Sequence, residues 1–177
     1  MQLNLICLKD ELRPVLGHVY VTSENAVAIN GHVLGVIPTN HIFNRDFVLS
    51  IPEDGMLIHA EDWKKITQYE SAAWKGPNTI KLHDSKKRPI IIETFSQEEV
   101  AKFPEFERLI PTQEKRQAEL NKVGIDASNA LLLQKALGFL SLAMQFSGFS
   151  GAIHCTDASN REETAGRHGI LMPIKLT

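Results

Sequence analysis

Ile29-Asn30-Gly31-His32-Val33-Leu34 is the stretch on which the reading turns, a glycine–histidine turn with apolar, β-forming residues on either side. Two later stretches stand in fixed order behind it: Phe103-Pro104-Glu105-Phe106-Glu107-Arg108-Leu109-Ile110-Pro111, and Ile170-Leu171-Met172-Pro173-Ile174-Lys175-Leu176. None of the three is a catalytic signature. Before the first, residues 17–22 and 26–28 are rich in β-branched and aromatic side chains and are bounded by turn formers, so they read as strands. Residues 3–8 alternate weakly between apolar and polar and read as a strand too.

Further along, Trp63, Ile66 and Tyr69 recur three apart among charged residues, which predicts an amphipathic helix over residues 60–73. Gly76-Pro77-Asn78 closes it. Residues 79–82 and 89–94 then read as strands joined by the polar connection 83–88. Residues 112–122 are highly charged and read as a linker or a solvated helix. Asp126 or Ser128 is placed to cap a helix that runs through Leu133 to Leu140, because a short side-chain oxygen accepts the free N–H groups of a first turn. Three further strands follow, over 142–146, 152–156 and 169–175. The pattern strand, helix, three strands therefore occurs twice. It divides the chain into a strand-only portion at 1–50, one unit at 51–111, a linker at 112–121 and a second unit at 122–177.

Composition bounds the rest. With 177 residues, 43% hydrophobic and 23% charged, the chain can bury a real core. Its formal charge of −2 argues against a whole-molecule attraction to nucleic acid, so any such contact rests on local charge. No apolar run is long enough to span a membrane, and no basic segment precedes an apolar one at the start, which points to the cytoplasm. Cys7 and Cys155 show neither metal-ligand nor disulfide spacing, so buried free thiols are expected. His154 with Asp157, and His83 with Asp84, are the nearest His–carboxylate pairs. Neither matches a ligand motif, no nucleophile or phosphate-loop motif occurs, and an enzyme is not expected. Nor is a cofactor or a metal.

In their order, the three stretches resemble motifs of the bacterial DNA sliding clamp, the DNA polymerase III beta subunit family, as a short or phage-type member. The resemblance implies an α+β fold of repeated βαβββ units, two helices packed on antiparallel sheets, and a non-enzymatic accessory protein of DNA replication. It also implies a pocket for a short peptide of a polymerase or clamp loader. Carried over by position, one wall would be Gly31, His32, Val33 and Leu34, a second Pro111, and a third Met172, Pro173 and Ile174. Two residues depart from the family pattern: Val33 stands where an arginine is usual and Asn30 where an aspartate is usual. Phe103, Pro104 and Phe106 read as architectural.

Sliding on DNA requires basic residues on exposed helix faces. Lys64, Lys65 and Lys135 are the candidates there, and Lys86, Lys87 and Arg88 at the hairpin tip are others. The first helix also holds Glu61, Asp62 and Glu70, a poor lining for a DNA channel. The family forms rings, so a homo-oligomer is expected. The alternative is a clamp-fold protein that binds a protein partner without encircling DNA.

Overall fold

Near-continuous burial along the central strands, apolar on both faces, decides the architecture. In the computed structural model, which describes residues 2–66, 71–74 (backbone only), 78–83, 88–112, 123–148, 151–159 and 161–174, β1 (His18–Val21), β2 (Asn25–Ile29) and β3 (Val33–Pro38) form an antiparallel meander. β4 (Met56–His59) pairs with β1 on its outer side. The other side of β3 takes β10 (His168–Leu171), followed by β9 (Ile153–Asp157) and β8 (Leu142–Gln145). The result is one seven-stranded sheet in the order β4-β1-β2-β3-β10-β9-β8. β5 (Ser71–Trp74), β6 (Thr79–His83) and β7 (Pro89–Glu93) make a second, three-stranded sheet. A single bridge between Leu57 and Phe95 ties it to β4.

Both faces of the large sheet are apolar. Val19, Val21, Ala26, Ala28 and Leu171 point to one side, under the helices. Val27, Ile29, Leu34, Val36 and Ile170 point to the other, where Phe103 and Phe106 cover them. The helix side is served by α2 (Ala60–Ile66), which buries Trp63 and Ile66, and by α3 (Ala127–Leu137), which buries Leu133, Ala136 and Leu137. Asp126 caps α3 by accepting from Ser128 N at 2.8 Å. At its other end Gly138, at φ +71°, lets Phe139 N reach back to Gln134 O at 3.0 Å, a Schellman closure that stops the helix short of Leu140.

Gly35 and Gly169 stand opposite each other on β3 and β10. A methyl group on Gly35 would meet Ile6 Cδ1 at 2.6 Å, and one on Gly169 would meet Leu133 Cδ2 at 2.8 Å. The glycine pair is the flat strip on which α3 and the N-terminal turn are seated.

Four sequence expectations change. Leu3–Leu5 is a 3-10 turn, not a strand: Leu3 and Ile6, three apart, are both fully buried, and Gln2 N donates to Ala136 O at 2.8 Å. That turn packs against both α2 and α3. The first helix is described over Ala60–Ile66, and Ser71–Trp74, of which residues 71–73 were expected within it, pairs with β6 as a strand. A third helix, α1 (Arg45–Ser50), was not anticipated; Asn44 Oδ1 caps it by accepting from Phe47 N at 2.9 Å, and Phe47 stacks on Phe43 at 4.2 Å. In the carboxyl part, the strand expected before α3 is a single bridge between Gly124 and Ile174. Most of the 112–122 segment, 84–87 in the hairpin loop and Lys175 lie outside the described residues. No described helix is long and apolar enough to cross a membrane.

Candidate protein-interaction site

The β2–β3 turn is built by one side chain. Asn30 Oδ1 accepts from His32 N at 3.1 Å and from Val33 N at 2.9 Å, and Asn30 N donates to Val33 O at 3.0 Å. Gly31 takes φ +85°, with open space where a side chain would stand. Positive φ at the first central position alone is the II′ pattern of tight hairpins, which demands glycine there. A neutral carboxamide oxygen does all of this acceptor work, so asparagine in place of aspartate leaves the turn intact.

Residues 95–110 form a strap across the sheet face opposite the helices. Phe103 stacks on Tyr20 with ring centroids 4.9 Å apart and meets Phe106 edge-on at 6.5 Å. Gln97 fastens the strap, accepting from Phe103 N at 2.7 Å and donating to Asp54 O at 3.1 Å. The architectural reading of Phe103 and Phe106 holds: both are buried. Strap and turn meet because the 3-10 turn Phe106–Leu109 sets Leu109 above the same edge as Phe106.

The tail arrives along β10. Ile170 lies opposite Leu34, and beyond the strand Met172 N donates to His32 O at 3.0 Å, so the tail extends the pairing past the glycine turn. Between turn, strap and tail lies a shallow apolar hollow of about 230 Å3, lined by Ile29, Gly31, His32, Val33, Leu34, Leu109, Ile170 and Met172. That volume is below the ~300–1,000 Å3 of small-molecule sites and suits one or two anchoring side chains. Leu109 and Met172 are each 42% exposed, a cost in water that a partner would remove. A second hollow of about 370 Å3 shares Ile29 and Gly31 and continues past Leu12, Val15 and Pro104.

Five residues expected at the site from sequence therefore line the hollow: Gly31, His32, Val33, Leu34 and Met172. Val33 borders it while its side chain belongs to the helix-side core, an environment suited to valine. Pro111, Pro173 and Ile174 stay outside the wall. Leu109 takes the position expected of Pro111, and Ile174 is drawn off to Gly124, whose carbonyl accepts its N–H at 2.9 Å. Ile29, Leu109 and Ile170 were not anticipated as lining.

The candidate phosphate contacts are scattered. On α2, Lys64 Nζ lies 2.8 Å from Glu61 and Lys65 pairs with Asp62, so both helix cations already have carboxylate partners. Lys135 is exposed in the last turn of α3, and Arg88 is exposed at the start of the β7 segment. Lys86 and Lys87 lie outside the described residues. Among the described residues no group of three or more metal-ligating side chains forms. Cys155 is buried and Cys7 partly so, and the loss of solvent pushes each thiol up to about 12.

No family model matches the chain, and no curated protein matches it. Solved structures do. The chain is similar to the beta sliding clamp of Caulobacter crescentus over 98% of its own length and 63% of that chain, with a TM-score of 0.69 at 14% identity. The DNA polymerase sliding clamp of Pseudomonas aeruginosa gives 0.63 at 13% identity, covering 98% of this chain and 64% of the other. The beta subunit of DNA polymerase from Streptococcus pyogenes gives 0.62 at 12%, again covering 98% and 64%. The chain has the sliding-clamp fold and spans slightly under two thirds of the length of these clamps.

Proposed function

We propose that the chain is a non-enzymatic, sliding-clamp-like accessory protein of DNA replication that captures a short apolar peptide of a polymerase or clamp loader in the hollow between Gly31, Leu109 and Met172. The observation that carries this reading is the convergence of three stretches, far apart in sequence, on one apolar hollow open to solvent. The proposed site residues are those of the hollow, with Pro111, Pro173 and Ile174 as its outer surroundings. A thioether suits such a wall because it adapts to varied ligands. Titration with a fluorescent clamp-interacting peptide tests the reading: Met172→Ala or Leu34→Ala weakens binding by about 1–3 kcal/mol, the usual range for an interface anchor. Affinity unchanged in both variants refutes it.

Tethering to DNA, weak and independent of sequence, belongs to the same proposal, with Lys64, Lys65, Lys86, Lys87, Arg88 and Lys135 as contacts and a cytoplasmic homo-oligomer as the assembly. So does the division at 1–50, 51–111, 112–121 and 122–177, which limited proteolysis within 112–121 tests. Replacing Lys86, Lys87 and Arg88 by alanine lowers DNA affinity and flattens its salt dependence if these contacts exist. One observation favours the second reading, a clamp-fold protein that does not encircle DNA: Lys64 and Lys65 are engaged by Glu61 and Asp62. Light scattering after size exclusion separates the two, since a persistent monomer at micromolar concentration argues for the second.

A further inference from the structure

The two edges of the large sheet, β4 and β8, are finished differently. Along β4 the edge is closed: Leu57 N donates to Phe95 O at 2.7 Å, and Phe95 N to Leu57 O at 2.9 Å. On the small sheet, the edge strand β7 begins at Pro89, which has no N–H, and ends at the exposed Glu93. Both features discourage a further strand from pairing there. β8 carries neither. No charged residue and no proline occur from Ala136 to Ile153.

The register of β8 on β9 decides which backbone groups are left open. Leu142 lies opposite Asp157, so Ser141 lies opposite Ala158, whose N–H donates to Ser141 O at 3.2 Å. Bonded and unbonded pairs alternate along an antiparallel ladder. Ala143 and Gln145 therefore bond to β9, while Leu142 and Met144 turn N–H and C=O to the free edge, where no described backbone group meets them. The Leu140 carbonyl is taken by Gln134 Nε2 at 2.7 Å, so the open groups centre on residues 142–144. Side chains follow the same division. Leu142, Met144 and Phe146 are half-buried and pack on the helix-side core, which ends at this edge.

We infer that β8 pairs antiparallel with β8 of a second copy of this chain, about a twofold axis at Ala143, and so joins two seven-stranded sheets into one. In this register Leu142 of each copy faces Met144 of the other, and each such pair exchanges two backbone hydrogen bonds. Ala143 meets its own counterpart in an unbonded pair, where Cα atoms approach to about 4.5 Å and a small side chain fits. Leu142 and Met144 of the two copies then continue the helix-side core across the axis. A second copy suits this edge because the edge is complementary to itself: no like charges meet, and the smallest side chain of the strand falls on the axis. Head-to-tail closure calls for two different open edges on the large sheet, and β4 is taken by Phe95, so the assembly stops at two copies. The inference rests on the homo-oligomer part of the reading above and gives it an interface. The hollow beside Gly31 and Met172 belongs to the opposite sheet face and stays open.

Light scattering of the full chain over a series from about 1 μM to several hundred μM reads the assembly, since so short an edge belongs with the small, weak interfaces. The mass rises from one copy to two and no further. Ala143→Cys forms an intermolecular disulfide on mild oxidation, because about 4.5 Å between Cα atoms lies within bridging range. Gln145→Cys, two positions from the axis, does not, and the unaltered chain with Cys7 and Cys155 is the blank. Met144→Pro removes two of the four hydrogen bonds between copies without touching the β9 ladder, and weakens dimerisation about tenfold. A dimer that survives in Met144→Pro and gives no cross-link in Ala143→Cys, or links equally well through Gln145→Cys, overturns the β8 edge and leaves a homo-oligomer standing. A monomer throughout the series overturns both. If circular dichroism shows Met144→Pro unfolded, the two cysteine variants decide alone.

Discussion

Gly169→Ala probes how α3 is seated, and with it the geometry of the whole sheet. A methyl group at this position would lie 2.8 Å from Leu133 Cδ2 and 2.9 Å from the carbonyl oxygen of Leu34. The leucine can rotate away. The Leu34 oxygen belongs to β3, the strand paired with β10, and yields only if the sheet deforms. Overpacking of this kind costs about 1–3 kcal/mol, and a backbone obstacle places this site near the upper end, about 3 kcal/mol. At roughly 2–4 °C per kcal/mol for a chain of this size, the melting temperature falls by about 6–12 °C. Urea denaturation followed by circular dichroism measures the free-energy loss directly. Leu133→Ala alone costs about 2–5 kcal/mol, but combined with Gly169→Ala the new methyl occupies vacated space, so the two losses do not add. A Gly169→Ala protein within about 0.5 kcal/mol of the parent, or strict additivity in the double variant, refutes the seating.

Three other outcomes follow from local geometry. Asn30→Ala removes the acceptor for His32 N and Val33 N and costs roughly 1 kcal/mol of stability, with a matching loss of peptide affinity; a neutral result means the turn does not need that side chain. Burial, opposed by the Pro14 carbonyl and reinforced by His59, holds His18 below the ordinary 6.5, so the unfolded chain takes up this proton first. The contribution of His18 is therefore complete above about pH 6.5 and is lost as pH falls through its folded value; His18→Gln flattens that part of the stability–pH curve, and an unchanged slope contradicts the assignment. Cys7 and Cys155 stay unreactive toward a thiol reagent at about pH 8 until the protein unfolds, and rapid native labelling of either contradicts their burial.

Much of the fold was legible wherever local signals and tertiary pairing agree. β1, β2, β6 and β7, the cap at Asp126 and the three carboxyl-terminal strands follow from β-branched runs, turn formers and a short acceptor side chain. Two segments misled for physical reasons. The helical spacing of Trp63, Ile66 and Tyr69 suggests a helix running on to residue 73, while residues 71–74 are claimed by pairing with β6. Leu3 and Ile6 suggest alternation only if the even spacing is assumed; their separation of three is the period of the 3-10 turn they form.

At the site, the glycine turn and Met172 were reachable through motif resemblance. Leu109 was not, because the resemblance pointed to Pro111. Phe106 and Leu109 are three apart with one buried and one half open, which is the signal that the strap presents Leu109.

Methyl-resolved NMR of the chain labelled at methionine gives the most direct test of the peptide hollow, because Met172 lies in its wall while Met56 is buried in the helix-side core. On titration with a clamp-interacting peptide, the Met172 methyl signal shifts and saturates at the affinity measured by fluorescence, while that of Met56 stays in place. A Met172 signal that does not move while the peptide binds contradicts the account.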